Sequence, residues 1–288
     1  MRLRRTSHFR ISRSFWRHLA FLSRRTTDRR STESMSQWVL KGISSGVKST
    51  RYPDAEETAA GVSPGLPDPS VNLTEAQKME LIERCPSGAI FIEDSSLSVN
   101  YRRCIHCFRC VRGVSAPLAW NSGYEWAGLS SDANPPDWPK AFRKSLHIRV
   151  VDAGDCGACL NEVKQLANPY YNLHRLGFFI TPTPRAADIL MVVGPVTDQM
   201  RRPLREVYEA MPTPKLVMAV GEGAISGGIF GPSFVTSAGV KEVLPVDIEV
   251  PGYPPPPLAI LHGLLVAAGR KAPASLFARE ADAVLKNR

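Results

Sequence analysis

Long apolar runs are missing from this chain of 288 residues. The best, Pro257 to Gly269, is 13 residues long and contains His262, short of the ~18 or more that a membrane-crossing helix needs. No span is expected. Cysteine is scarce: six in all, too few to staple a disulfide-built mini-domain, with no apolar secretory signal ahead of them, so a reducing, cytoplasmic setting is expected. Acidic residues are nearly absent from residues 1–34, where ten arginines face only Asp28 and Glu33. That stretch carries +8 of the chain's net +9, leaving the rest almost neutral. A phosphate-tracking face would be structured and interleaved with aromatics; this charge sits on an Arg- and Ser-rich tail, so no nucleic-acid partner is expected.

What is present is the composition of a globular protein. Hydrophobic residues make up 43%, and the 21 glycines and 24 prolines follow no three-residue period, which excludes wholesale disorder and collagen-like fibres. The basic tail reads as an upstream start-site artefact or a presequence, with organelle import and a basic membrane anchor as alternatives. From Asp54 to Pro69 no period of 2 or 3.6 persists, which predicts an extended arm. Thr74, with Gln77 three residues on, predicts a capped helix through Ile82. Ala89–Ile92 and Leu97–Tyr101 predict a hairpin. Beyond the break at Asn134-Pro-Pro136, strands are predicted at Leu146–Val151, Phe178–Ile180, Ile189–Val193 and Leu216–Val220. Helices are predicted near Leu160–Ala167, Pro203–Met211 and Pro257–Ala268, the last presenting a Leu and Ile stripe to the core. Alternation of strand and helix predicts an α/β, flavodoxin-like parallel sheet with ligands at the C-terminal strand ends.

The strongest chemical signal is Cys104-x2-Cys107-x2-Cys110, preceded by Cys85-Pro86. A two-cluster ferredoxin run reads C-x2-C-x2-C-x3-C-P, its fourth cysteine serving the other cluster. Here the tail of one run and the head of another remain, which predicts one [4Fe–4S] cluster on Cys85, Cys104, Cys107 and Cys110. Four-cysteine zinc is the alternative, though zinc sites usually pair two C-x2-C knuckles. His106 and Arg109, interleaved with the ligands, are expected to place positive charge beside the cluster. Asp155-Cys156-Gly-Ala-Cys159-Leu-Asn-Glu162 follows the first strand of the α/β part. It fits a thioredoxin-like dithiol or half of a metal site, with Glu162 read as a first-turn helix residue. Gly221-x-Gly223 lacks the third glycine of a dinucleotide fingerprint, and Ile-Phe-Gly-Pro after it predicts no helix. The histidines show no ligand spacing, and no paired carboxylates or Ser/His/Asp order suggests hydrolysis.

The blocks PRAADILMVVGPVTDQMRRPLREVYEAMPTPKLVMAVGEGAISGGIF and LPVDIEVPGYPPPPLAILHGLL resemble the small subunit of energy-converting [NiFe] hydrogenases of the formate-hydrogenlyase type and the 20 kDa subunit of complex I. WVLKGISSGVKSTRYP with the cysteine run resembles the ferredoxin-type subunit of the same complexes, so the chain looks like a fusion of the two. The resemblance implies an electron-transfer iron–sulfur subunit, peripheral on the inner face of a membrane through a large subunit and membrane subunits. A structural or assembly role is the alternative. It also implies a second cluster held by Cys156, Cys159 and cysteines in G-x-C-A-x-S-G-G and P-G-C-P-P blocks, where this chain has Gly223 and Tyr253. No stable second cubane is therefore expected; Cys156, Cys159, Glu162 and Glu222 remain as a degenerate site, converging with Gly223 and Tyr253 at the strand ends. The expected organisation is a basic tail over 1–34, an arm over 35–72 and a ferredoxin-like [4Fe–4S] segment over 73–130. An α/β domain over 140–272 and a C-terminal tail over 273–288 follow.

Overall fold

The computed structural model describes residues 41–131, 133, 138 and 142–274. The expected basic tail, the Asn134-Pro-Pro136 break and nearly all of the C-terminal tail lie outside the described residues. The described chain divides after Lys48 into two units. In the first, residues 41–45 are helical; everything below concerns the second, from Ser49 onward.

Its centre is a six-stranded sheet of β5 (Gly128–Leu129), β10 (Ile248–Val250), β9 (Leu216–Val220), β8 (Ile189–Val193), β6 (Leu146–Asp152) and β7 (Phe178–Ile180), in that spatial order. Five strands run parallel; β5 closes one edge antiparallel to β10. The four strands expected from sequence are all in this sheet. β10 and β5 were not anticipated, because three and two residues give no readable alternation. β8, Ile-Leu-Met-Val-Val, is buried at every position, which is how a strand covered on both faces reads. Ile189, Met191 and Val193 enter one core with α2 (Ala158–Gln165) and α5 (Pro257–Ala267). Leu190 and Val192 enter the other, with α3 (Asp198–Ala210) and the short α4 (Glu222–Ser226). Period-2 alternation sends neighbouring side chains to opposite layers.

Three helices differ from expectation. α3 begins at Asp198, behind Thr197, and carries Pro203 inside it. Proline there removes one N–H bond, but Leu204 is fully buried on the second core, so packing outweighs the local preference that put a helix start at Pro203. α4 forms directly after Gly221, where none was predicted. α5 buries all eleven residues rather than a stripe. Its outer side is covered by the segment around Trp126: Ala127 N–H donates to His262 Nδ1 at 3.2 Å, and Trp138 Nε1 donates to the Ala267 carbonyl at 2.6 Å.

The smaller part holds β1 (Leu66–Asp68) paired antiparallel with β4 (Ala119–Asn121), α1 (Glu75–Arg84), and a hairpin of β2 (Ile90–Glu93) and β3 (Ser96–Val99). α1 has the anticipated capping box: Thr74 N–H to Gln77 Oε1 at 2.9 Å and Gln77 N–H to Thr74 Oγ1 at 3.4 Å. Asp94 and Ser95 turn the hairpin at φ 47° and 67°, the left-handed pair a two-residue loop requires. Leu81, Ile90, Leu97, Val99 and Leu118 form a separate small core. Within the stretch read as an arm, Tyr52 and Leu66 are buried in the larger core.

An ion pair joins the cysteine-bearing loop to the sheet. Arg102 Nε meets Glu249 Oε2 at 2.5 Å, with Glu249 on β10 only 7% exposed at its side chain. Replacing Arg102 by methionine leaves that carboxylate buried without its partner. We expect a loss of about 3 kcal/mol, read from the urea midpoint, with most of it restored in the Arg102→Met/Glu249→Gln double variant. Equal midpoints for wild type and the single variant would rule out this anchoring role.

Candidate functional site

Cys85 is the residue on which α1 ends; its N–H bonds the Ile82 carbonyl at 3.2 Å, and Pro86 then prevents the helix from continuing. The Ala89 N–H donates to the Cys85 sulfur at 3.2 Å. Cys104, Cys107 and Cys110 lie on the loop after the hairpin, where His106 and Phe108 both take left-handed φ values, 51° and 58°. Two such turns at non-glycine residues coil the loop tightly. Burial pushes the Cys104 thiol up to about 12, and Cys110, Cys85 and Cys107 push the same way, against the His106 N–H. Burial likewise raises Cys110, opposed by Trp120, while Cys107 and Cys85 add to the rise. Cys85, distant in sequence, thus acts through its charge on both Cys104 and Cys110. Cys107 is exposed and the other three are half-buried.

Among the described residues, no three His, Cys, Asp or Glu side chains are close enough to hold a single metal ion. The donors at this loop are thiols alone, a soft set suited to iron–sulfur ligation rather than to a hard cation. His106 departs from expectation. Its ring is buried edge-on to Trp120 (5.8 Å) and Trp126 (6.0 Å), neither ring nitrogen has a hydrogen-bond partner, and burial holds it down at about 4. It is neutral at pH 7 and supplies no positive charge; the sequence spacing could not reveal the two tryptophans that surround it. Arg109 is exposed.

The second constellation lies at the C-terminal ends of the sheet. Asp152 Oδ1 at the end of β6 accepts the Gly154 and Asp155 N–H groups at 3.0 and 2.8 Å. Asp155 Oδ2 then accepts those of Gly157 and Leu160 at 2.9 and 3.0 Å, satisfying donors that the first turn of α2 would leave open. This fixes Cys156 exposed before the helix and Cys159 buried inside its first turn. Gly221 makes room for Cys159: its φ is 91°, and a Cβ there would lie 2.4 Å from the Cys159 sulfur. Burial raises the Cys159 thiol, with Asp155, Cys156 and Glu222 adding to the rise.

Tyr253, after β10, places its hydroxyl 3.0 Å from the Cys156 sulfur; that bond, then burial, raises the phenol. The Glu222 N–H bonds the Gly252 carbonyl at 2.9 Å, joining the loops after β9 and β10. A Cβ at Gly223 would make ordinary contact with Pro195 Cδ at 3.6 Å and Gly194 Cα at 3.7 Å. The structure thus brings Cys156 against Tyr253 and Cys159 against Gly221, two residues before Gly223. Glu222 is 1% exposed; its Oε1 accepts from Ser226 Oγ at 2.9 Å and its Oε2 has no partner. Burial lifts Glu222 to about 7, opposed by Ser226 and the Arg103 charge. Glu162 is the fifth residue of α2, beyond the first turn expected for it; it is half-buried, raised by burial alone. The roles of Asp155, Gly221 and Ser226 were not read from sequence, although Asp155 stands directly before the cysteine pair.

Residues 156–267 match the family described as NADH ubiquinone oxidoreductase, 20 Kd subunit. The probable membrane-bound hydrogenase subunit mbhJ of Pyrococcus furiosus is 42% identical over 128 residues, which cover 44% of this chain and 77% of that protein. The chain belongs to this 20 kDa-subunit family. Formate hydrogenlyase subunit 7 of Escherichia coli is 36% identical over 130 residues, 45% of this chain and 51% of that one. Among solved structures, a chain of the membrane-bound sulfane sulfur reductase, an archaeal respiratory membrane complex, aligns at 28% identity with a TM-score of 0.40, covering 51% of this chain and 84% of that one. In this 20 kDa-subunit family member the family match begins at Cys156 and runs through the end of α5.

Glu222 gives a pH signature. Its folded-state value of about 7 lies above its ordinary 4.5, so the protonated form is favoured by folding. The associated stability is full below about 4.5 and is lost as pH rises through about 7. The melting temperature of Glu222→Gln minus that of wild type should therefore increase between about pH 5 and about pH 8. A difference that stays constant across that range would contradict the buried, uncompensated carboxyl.

Proposed function

We propose that this chain is an electron-transfer subunit of a membrane-associated oxidoreductase complex of the hydrogenase or complex I kind. It carries one [4Fe–4S] cluster on Cys85, Cys104, Cys107 and Cys110. What supports the reading is the all-thiol donor set of the loop that left-handed turns at His106 and Phe108 coil, with Cys85 at the end of α1 acting on Cys104 and Cys110 through its charge. Bound there, the cluster supplies single-electron transfer. The chain's own residues do the rest: the Ala89 N–H stabilises the Cys85 sulfur, and Trp120 and Trp126 keep water from the inner side of the loop around a neutral His106. Arg102 ties that loop to β10.

On this reading residues 73–130 act as a ferredoxin-like segment fused to the α/β domain over 140–272. The partners are a large subunit and membrane subunits, which hold the chain peripherally on the inner face of the membrane. Among the described residues no helix is long and apolar enough to cross a membrane. The second site carries no cubane, since Gly223 has no donor and the Tyr253 phenol is a poor substitute for thiolate. A second reading, a scaffold or assembly subunit without redox function, is favoured by one observation: the Tyr253 hydroxyl already bonds Cys156.

Anaerobic purification followed by iron analysis separates the readings. About four irons per chain are expected, and Cys107→Ala should abolish the ferredoxin-type absorbance. Folded protein without iron after reconstitution would leave the scaffold reading. The Gly223→Cys/Tyr253→Cys variant should gain about four more irons, since ordinary contacts around a Cβ at 223 leave a cysteine room. About eight irons in wild type would instead mean that Glu222, Glu162 or an outside ligand completes the second site.

A further inference from the structure

We propose that Cys156 and Cys159 form a dithiol–disulfide couple that exchanges with small organic disulfides, Cys156 attacking and Cys159 resolving. This rests on the reading that no cluster occupies these cysteines.

Four observations carry it. The two thiols are three residues apart with opposite exposure, Cys156 open to solvent and Cys159 buried at 1%. This is the division of labour in which one sulfur meets a substrate and the other can act only from within. The Tyr253 hydroxyl, 3.0 Å from Cys156, is placed to donate to a thiolate there. The residue between Cys156 and α2 is Gly157, at φ 94°, with no atom within 4 Å of where its Cβ would be; the turn joining the two cysteines is thus unobstructed. Finally, Gly221 leaves the Cys159 sulfur a seat that any larger residue would fill.

The exchange balances. The Cys156 thiolate, its proton lost to solvent, attacks one sulfur of RSSR; the S–S bond breaks and RS⁻ leaves, taking up a proton. Cys159 then gives up its proton to solvent and attacks the Cys156 sulfur, expelling the second RS⁻, which takes up a proton from solvent. The protein dithiol has given two electrons and two protons, and one disulfide has become two thiols.

The test uses the full chain with its first cluster loaded and oxidised glutathione as probe under argon, read by peptide mass mapping. Wild type should release two equivalents of glutathione per chain and end with a Cys156–Cys159 disulfide. Cys159→Ser should stop at a stable glutathione adduct on Cys156, Cys156→Ser should leave Cys159 unmodified, and Tyr253→Phe should slow the first step roughly fivefold. Persistence of the adduct in wild type, with Cys159 still free to alkylation, would overturn the proposal without needing any variant to fold. About eight irons in wild type with both thiols unreactive would overturn it too, and would place the failure in the underlying reading of the site.

Discussion

Covering both faces of β8 is the constraint on which the rest of the molecule depends. A strand of five apolar side chains, none exposed, can exist only between two layers, so α2 and α5 must close one side and α3 and α4 the other. Connections between parallel strands then cross over outside the sheet, and every loop that leaves a strand's C-terminal end emerges on the same rim. The cysteine pair after β6, the Gly194-Pro195 turn after β8, the glycine-rich turn after β9 and Tyr253 after β10 meet there for that reason. These four loops come from separate parts of the sequence.

The rim is tightly packed at two glycines. A Cβ on Gly194 would lie 2.4 Å from the Asp155 nitrogen, and one on Gly221 would lie 2.4 Å from the Cys159 sulfur. Close approach of loops is what lets two partly polar groups, Glu222 and Cys159, be buried together at the strand ends. It also leaves Glu222 Oε2 without a partner, a cost that the rest of the packing has to offset. The same rim is where the α/β domain meets the separate cysteine loop: Arg102 bonds Glu249 on β10, Arg103 acts on Glu222, and Trp126, against His106, donates to the Pro251 carbonyl at 2.8 Å. The two cysteine groups thus belong to one continuous piece of structure, linked through β10 and the turn that follows it.

Residue type and spacing alone determined a good deal about this protein. The parallel strands of β6 to β9, the capped α1 and the hairpin after it follow from period, capping chemistry and apolar content, all of which act over a few residues. The grouping of Cys85, Cys104, Cys107 and Cys110 is an expectation from local spacing, and the two positions where thiolates are missing are one from the family resemblance. Tertiary structure alone decided what depends on neighbours distant in sequence. β10 exists because β9 and β5 offer it partners, and α3 runs through Pro203 because Leu204 has a core to fill. His106 is neutral because Trp120 and Trp126 exclude water from it. Cys156 is open and touches a phenol while Cys159 is sealed behind Gly221, although the two look equivalent in sequence. Burial and charge are set by atoms brought together from far apart along the chain, as Cys156 and Tyr253 are across 97 residues, and no local pattern encodes that distance.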